Sequence, residues 1–315
     1  MDNAATIAGW VNHADRALTT AWSRDALTTL AAQFVPGDAL GSLGWLLRAD
    51  AASTWARWYV EGMADIGRYV RDQELGLAHL YADLRSTLRA EHPLFPSDEL
   101  AELSRVVASL AWKEVLHRRR GRRLRLTPRE REEIWFRSEP GAHCYLCGYK
   151  FRPDAKGRFL RRADSRHADP PMLVDCVRPR GRVARDLDAE IDHVRPVAGG
   201  GDTERDNLRL ACGWCNRVKS RYMALYDAPA WSPTTFLHPR LGLISLPQPL
   251  WIVRIVGVRG RCEAPLGCSA KLADAELFVA PRRLEGALNP TNAAVYCSEH
   301  DPWGHVRFVG PGILP

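Results

Sequence analysis

No apolar run in this chain of 315 residues approaches the roughly 18 residues that a membrane-crossing helix requires, so no helical span is expected. The opening residues, MDNAATIAGW, lack the basic-then-apolar pattern of a secretory leader, and the chain is expected in the cytoplasm. No internal repeat covers the chain, which sets aside solenoid architectures. Lysine is scarce, and nearly all of the basic residues are arginine. With 46% hydrophobic and 26% charged residues, the composition also excludes wholesale disorder. Cysteine is the exception to this list of shortages. Eight cysteines, mostly in closely spaced pairs, read in a reducing compartment as metal ligands rather than disulfides.

The net charge of +7 is unevenly spread. Residues 1–112 carry −5, residues 113–240 carry +11 and residues 241–315 carry +1. A polyanion site is therefore expected in the middle of the chain, while an acidic head would be repelled by phosphate. Residues 1–112 are accordingly expected to meet protein, either a second copy or another partner.

Residues 1–116 read as helical. Ile7, Trp10, Val11, Ala14, Leu18, Ala21 and Trp22 recur at helical spacing, as do Trp55, Trp58, Tyr59 and Met63, and the tryptophans are expected to pack in helical cores. Breaks fall near Pro36-Gly37 and at Pro93–Pro96, and a helix is predicted from Ser97 to about His117. After HRRRGRRLRL, the stretch Thr127-Pro128-Arg129-Glu130 combines a capping threonine, a first-turn proline and a glutamate three residues on. That helix is expected to end near Gly141. Residues 148–189 read as an irregular basic insertion within a segment of residues 117–227. Residues 228–249 read as a proline-rich connector, and residues 250–315 as short strands (LWIVRIVGV, ELFVA, AAVYC, HVRFVG).

Two C-x-x-C pairs, Cys144/Cys147 and Cys212/Cys215, supply four thiolates in two tight knuckles, the donor set of a structural zinc. Between them runs EIDHVRPVAGGGDTERDNLRLACGWCNRVKS (190–220): Asp192-His193, an apolar-proline-glycine loop, Asn207 opening a strand, then Asn216 and Lys219 in a helix. In that order these features resemble the HNH nuclease family, in the form whose ββα-metal element is closed by four cysteines. The likeness covers about a quarter of the chain and does not extend to residues 1–125 or 225–315.

The resemblance implies roles. His193 would act as general base on water, and Asn207 would orient its loop. Asp192 and Asn216 would hold one Mg²⁺ or Mn²⁺, Asn216 standing where the family usually has histidine and offering a harder donor. Glu190 would be a strand residue that could assist the metal. Arg118, Arg119, Arg120, Arg122, Arg123, Arg180, Arg182 and Lys219 are the candidate DNA contacts, with RPRGRV (178–183) resembling a minor-groove hook. A second zinc group is expected at Cys262, Cys268, Cys297 and His300, with His305 as a substitute for His300; Cys176 is left over.

The fold implied is α+β: a helical N-terminal domain, a zinc-stabilised ββα-metal HNH nuclease domain and a small β-rich zinc-binding C-terminal domain. The implied activity is metal-dependent hydrolysis of DNA phosphodiester bonds, in bacterial restriction or anti-phage defence. Two other readings stay open: a non-catalytic, zinc-dependent DNA-recognition subunit of a larger assembly, and the same chemistry on RNA.

Overall fold

A computed structural model describes every residue except 1–3, 20–22, 121–125, 140, 162–168, 200, 229–233 and 266. Arg122, Arg123, Ala21, Trp22 and the side chain of Arg120 lie outside the described residues.

The first 120 residues form helices: α1 (Ala4–Thr19), α2 (Arg24–Ala31), α3 (Gly44–Met63), α4 (Ile66–Arg71), α5 (Leu77–Glu91) and α6 (Ser97–Arg120). The four-residue spacing of Leu80, Leu84 and Leu88 puts all three on one face of α5, where each is completely buried. They meet Leu100, Val107, Ala111 and Val115 of α6, together with Ile66 and Tyr69 of α4. Each leucine so buried contributes about 1.5–3 kcal/mol. Trp112 packs against this helical core as expected, but three other tryptophans do not stay buried. Trp55 and Trp58 are 66% and 60% exposed and Trp45 is 42% exposed, so helical spacing marked the helix without marking its buried face.

Next come α7 (Pro128–Phe136) and α8 (Pro153–Phe159), then strands β1 (Val174–Asp175), β2 (Ala189–His193) and β3 (Leu208–Cys212), followed by α9 (Gly213–Lys219). Thr127 and Glu130 cap α7 reciprocally as the sequence predicts, but the helix stops at Phe136, short of Gly141. The basic insertion is only partly irregular, because it holds α8 and β1. β2 pairs antiparallel with β3, Ala189 opposite Cys212 and His193 opposite Leu208. Residues 228–249 carry a hairpin of β4 (Thr234–His238) and β5 (Gly242–Leu246).

The chain ends with α10 (Pro249–Arg259), β6 (Leu277–Pro281), β7 (Ala293–Cys297) and β8 (Phe308–Val309). LWIVRIVGV, expected as a strand, is thus a helix. The start and stop signals are present: the Gln248 side chain caps the first turn, Pro249 follows, and Gly260 ends it in the left-handed region. Leu250, Ile252, Val253, Ile255 and Val256 are buried, while the partly exposed face holds Trp251, Arg254 and Val258, so a single polar residue interrupts the apolar run and no helical period shows in the sequence.

α10 lies in the central core with both C-x-x-C knuckles, β6, β7 and the start of α3, Leu43 and Leu46. Asp50 of α3 ties this core across the chain. It accepts from the Leu225 amide at 2.8 Å and from Arg254 of α10 at 2.6 Å. A second tie joins β1 to the C-terminal strands, with Val174 opposite Val309. Beside it Arg307, 1% exposed, donates to Asp175 (2.9 Å), Asp301 (2.5 Å) and the Val279 carbonyl (2.7 Å). Although burial raises the Asp175 carboxyl, Arg307 and Arg178 hold it below its ordinary value. Arg307→Leu would leave Asp301 buried without its counter-charge and Asp175 with only Arg178 nearby. A loss of about 3–5 kcal/mol is expected, read from the urea midpoint, and a loss below about 1 kcal/mol would contradict this account.

Candidate active site

Strand β2 reads Ala-Glu-Ile-Asp-His, and its two-residue period decides which side chains share a face. Ala189 and Ile191 pack with Leu208 and Leu210 of β3 against Ile134, Trp135 and Phe159. Glu190 and Asp192 turn to the opposite face, where α9 crosses. There Asn216, in the first turns of α9, donates from Nδ2 to Glu190 Oε2 at 2.6 Å. His193 closes the strand. Glu190, Asp192, His193 and Asn216 together line one cleft of about 940 Å³, with Arg185, Arg217 and, from α6, His117 and Arg118 at its walls.

Asp192 is buried and held on both oxygens. Lys219 Nζ lies 3.1 Å and 2.9 Å from Oδ1 and Oδ2, and the Tyr145 hydroxyl donates to Oδ2 at 2.6 Å. Burial and the adjacent Asp192 carboxylate push the Tyr145 hydroxyl far above its ordinary value, so it stays a donor throughout the working pH range. Lys219 Nζ also donates to the His193 carbonyl at 2.6 Å, fixing the strand end from below.

The loop after His193 is pinned by one side chain. Asn207 Oδ1 accepts from the Arg195 amide at 2.8 Å, while Nδ2 donates to the carbonyls of Arg195 (3.0 Å) and Asp202 (2.7 Å). Gly201 must be glycine for this closure, since a Cβ there would sit 1.7 Å from the Arg195 carbonyl oxygen.

The two knuckles stand directly beneath this sheet. Cys144, Cys147, Cys212 and Cys215 are all buried, and their sulfurs lie within 4.8 Å of one another. Cys212 closes β3 and caps α9, its sulfur accepting from the Cys215 amide at 3.5 Å. The Tyr145 amide donates to the Leu210 carbonyl at 2.9 Å, which anchors the first knuckle to β3. Gly148 turns that knuckle at φ +77°, where a side chain would strike the Ala275 carbonyl. Four buried thiolates leave no open position and suit zinc in a structural role.

Four thiolates holding a zinc would carry a net charge of −2, and two largely buried arginines stand at the cysteine cluster to offset it. Arg180 donates from Nη1 to Cys147 Sγ at 3.5 Å, lies 3.8 Å from the Tyr149 ring centre and pairs with Glu276 at 2.8 Å. Arg178, 3% exposed, shares Glu276 and donates to the Leu277 carbonyl at 3.0 Å.

The candidate arginines therefore divide. Arg180 is interior, engaged with the cysteine cluster. Arg119 caps the end of α4 by donating to the carbonyls of Tyr69, Asp72 and Leu75, and it covers the Trp112 ring. Arg182 is exposed and donates to the Pro315 carbonyl at 3.0 Å. Arg118 remains at the cleft, paired with Glu114 at 2.8 Å. Lys219 is buried beside Asp192.

A second group, Cys262, Cys268, Cys297 and His300, also gathers its donor atoms within 4.8 Å of one another. Cys297 Sγ lies 3.2 Å from His300 Nδ1. His305, the substitute read from the sequence, is not in this group. Cys176 belongs to the central core, where burial pushes its thiol up to about 12.

Sequence reading left Glu190 as a strand residue that could assist the metal, and the structure places it in the cleft with Asn216; Tyr145, at Asp192, and His117, at the cleft wall, were not singled out. The two-residue offset from Asp192 was a signal for Glu190, whereas nothing local to Tyr145 or His117 announces the cleft.

Two antiparallel strands and a helix, closed by four cysteines and holding a histidine beside two carboxylates, define a ββα-metal element. The domain is an HNH endonuclease domain: the family model of that description matches residues 176–221. The match leaves Cys144 and Cys147 outside its limits. Comparison with the curated proteins and with the solved structures gives no match. Among the described residues, no helix is long and apolar enough to cross a membrane.

Proposed function

We propose that the chain is an endonuclease that hydrolyses DNA phosphodiester bonds with the help of a divalent cation. One observation carries this reading: His193, Asp192, Asn216 and Glu190 converge in a single cleft within the HNH segment. Carboxylate and carboxamide oxygens are the hard donors that magnesium and manganese take, so Asp192 and Asn216, with Glu190 beside them, fit such an ion. When bound, the ion would supply positive charge to the phosphate and leaving-group oxygens. His193 would accept the proton of the attacking water. Asn207, by fixing the backbone on either side of Arg195, would keep the loop after His193 in register. Arg118, Arg185 and Arg217 at the cleft walls would meet backbone phosphates, which need only charge and reach. Zinc at the four cysteines would be structural, and a second zinc would occupy Cys262, Cys268, Cys297 and His300.

The test is incubation of the purified chain with supercoiled plasmid, and in parallel with RNA. Nicked circles are expected with magnesium or manganese, because one ββα element makes one cut. Chelation should stop the reaction and added magnesium restore it. Plasmid that stays intact in every metal would end this reading.

The second reading, a DNA-recognition subunit without catalysis, is favoured by one feature. Asp192 is buried with both oxygens already engaged by Lys219 and Tyr145, as a structural carboxylate would be. Binding of plasmid without nicking in the same experiment would select it.

A further inference from the structure

A groove of about 430 Å³ runs between α3, the last turns of α6 and the loop after β2. It shares Arg118 and Ala198 with the catalytic cleft, so the two are continuous. Trp58 lines it, with its ring left in water although the fold has an apolar core nearby. The same groove is lined by Arg57, Lys113, Arg118 and Arg195 and by Glu61 and Glu114, with Arg57 paired to Asp227 at 3.4 Å. Glu114 sits at the junction. Its two oxygens accept from Arg118 at 2.8 Å and from Arg195 at 3.1 Å, so one carboxylate holds an α6 guanidinium and a nuclease-loop guanidinium side by side. Of the groove's charges only Arg57 and Glu61 fall within the acidic residues 1–112; its surplus of cations, Lys113, Arg118 and Arg195, comes from the basic part of the chain.

An exposed indole among cations, opening into a phosphodiester-cutting cleft, has one matching ligand chemistry. A nucleotide presents a π face to the ring and an anion to the guanidinium and ammonium groups. A base inside a duplex has both faces covered by its neighbours, so only an unpaired or extruded base can use such a ring. The volume is that of a small-molecule pocket, too small for a duplex.

We propose that this groove is a subsite for one unpaired nucleotide of the strand being cut, its base stacked on Trp58 and its phosphate at Arg118 and Lys113. The proposal rests on the nuclease reading. It makes the helical region part of the substrate site, and it predicts preference for DNA that is gapped, mismatched or otherwise locally open.

The experiment uses the full chain without added magnesium, so that binding is read apart from cleavage. The probes are a paired duplex and the same duplex with a single-nucleotide gap opposite a fluorescent purine analogue. The gapped DNA is expected to bind more tightly, with a change in analogue fluorescence. Trp58→Ala should weaken the gapped complex by about 5- to 100-fold, the range for one stacked base, and leave the paired complex unchanged. Trp58→Phe should retain most of the binding. An equal effect of Trp58→Ala on both DNAs, or none on either, overturns the subsite. Failure of the nuclease reading is distinguishable, because it would appear as absent cleavage with the binding difference intact.

Discussion

Replacing His193 with alanine is expected to lower plasmid nicking by about 10²–10⁴, the range for losing a positioned general base. DNA affinity should stay nearly unchanged, since the cleft's phosphate-binding charge lies on arginines such as Arg118, Arg185 and Arg217. The geometry favours a clean result. The His193 main chain is held by Lys219 at 2.6 Å and by its ladder partner Leu208, neither of which needs the imidazole. Asn207 grips the following residues through Arg195 rather than through His193 itself. The variant should therefore keep its metal content and its unfolding midpoint, which separates lost chemistry from lost structure. Undiminished nicking in His193→Ala would sink the mechanism.

The other large effect concerns the cysteines. Elemental analysis of the purified chain is expected to give two zinc ions, and Cys212→Ser should remove one of them and unfold the β2–β3–α9 element. Magnitudes decide this outcome. Zinc in small four-ligand sites contributes about 10–16 kcal/mol, which equals or exceeds the 5–15 kcal/mol that holds a typical domain folded. Cys212 closes β3, caps α9 and ligates at once, so its loss strikes all three elements. Cys297→Ser should remove the other ion. Its damage is not expected to stop at the C-terminal strands, because the Leu277 amide of β6 donates to the Cys147 carbonyl of the first knuckle at 3.0 Å. One ion per chain in the wild type would remove the second site, and a folded, metal-depleted Cys212→Ser chain would overturn the structural role of the first.

The cysteine knuckles, Asp192, His193, Asn207 and Asn216 were legible because each sits in a short segment where ligand spacing and residue type constrain one another. The helix α10 was not, because its partly exposed face carries apolar Trp251 and Val258 beside Arg254, which masks the period that separates helix from strand. The arginines misled for a different reason. Arg180 reads as a DNA contact by charge and by its place in RPRGRV, while the fold uses it inside, against Cys147 and Glu276 from other parts of the chain. The same separation in sequence hid His117 and the place of Arg118, which reads from the sequence only as a phosphate contact. His117 and Arg118 reach the cleft only because helix and nuclease loop pack together, and the linear motif carries no trace of that contact. Tyr145 stands within a metal knuckle, yet its hydroxyl serves a carboxylate 47 positions later.

The pairing of β1 with β8 has a consequence for the order in which the chain is made. Every cleft residue and all four cysteines of the first cluster have been translated by Arg221. Asp175, next to the start of the HNH segment, still waits for Arg307, and Val174 waits for Val309. A nascent chain halted before residue 307 holds every cleft residue but lacks the main counter-charge of Asp175, leaving it Arg178 alone. Such a ribosome-bound fragment should be readily degraded by protease and inactive on DNA. The HNH domain would then reach its final packing only after the distal strands emerge.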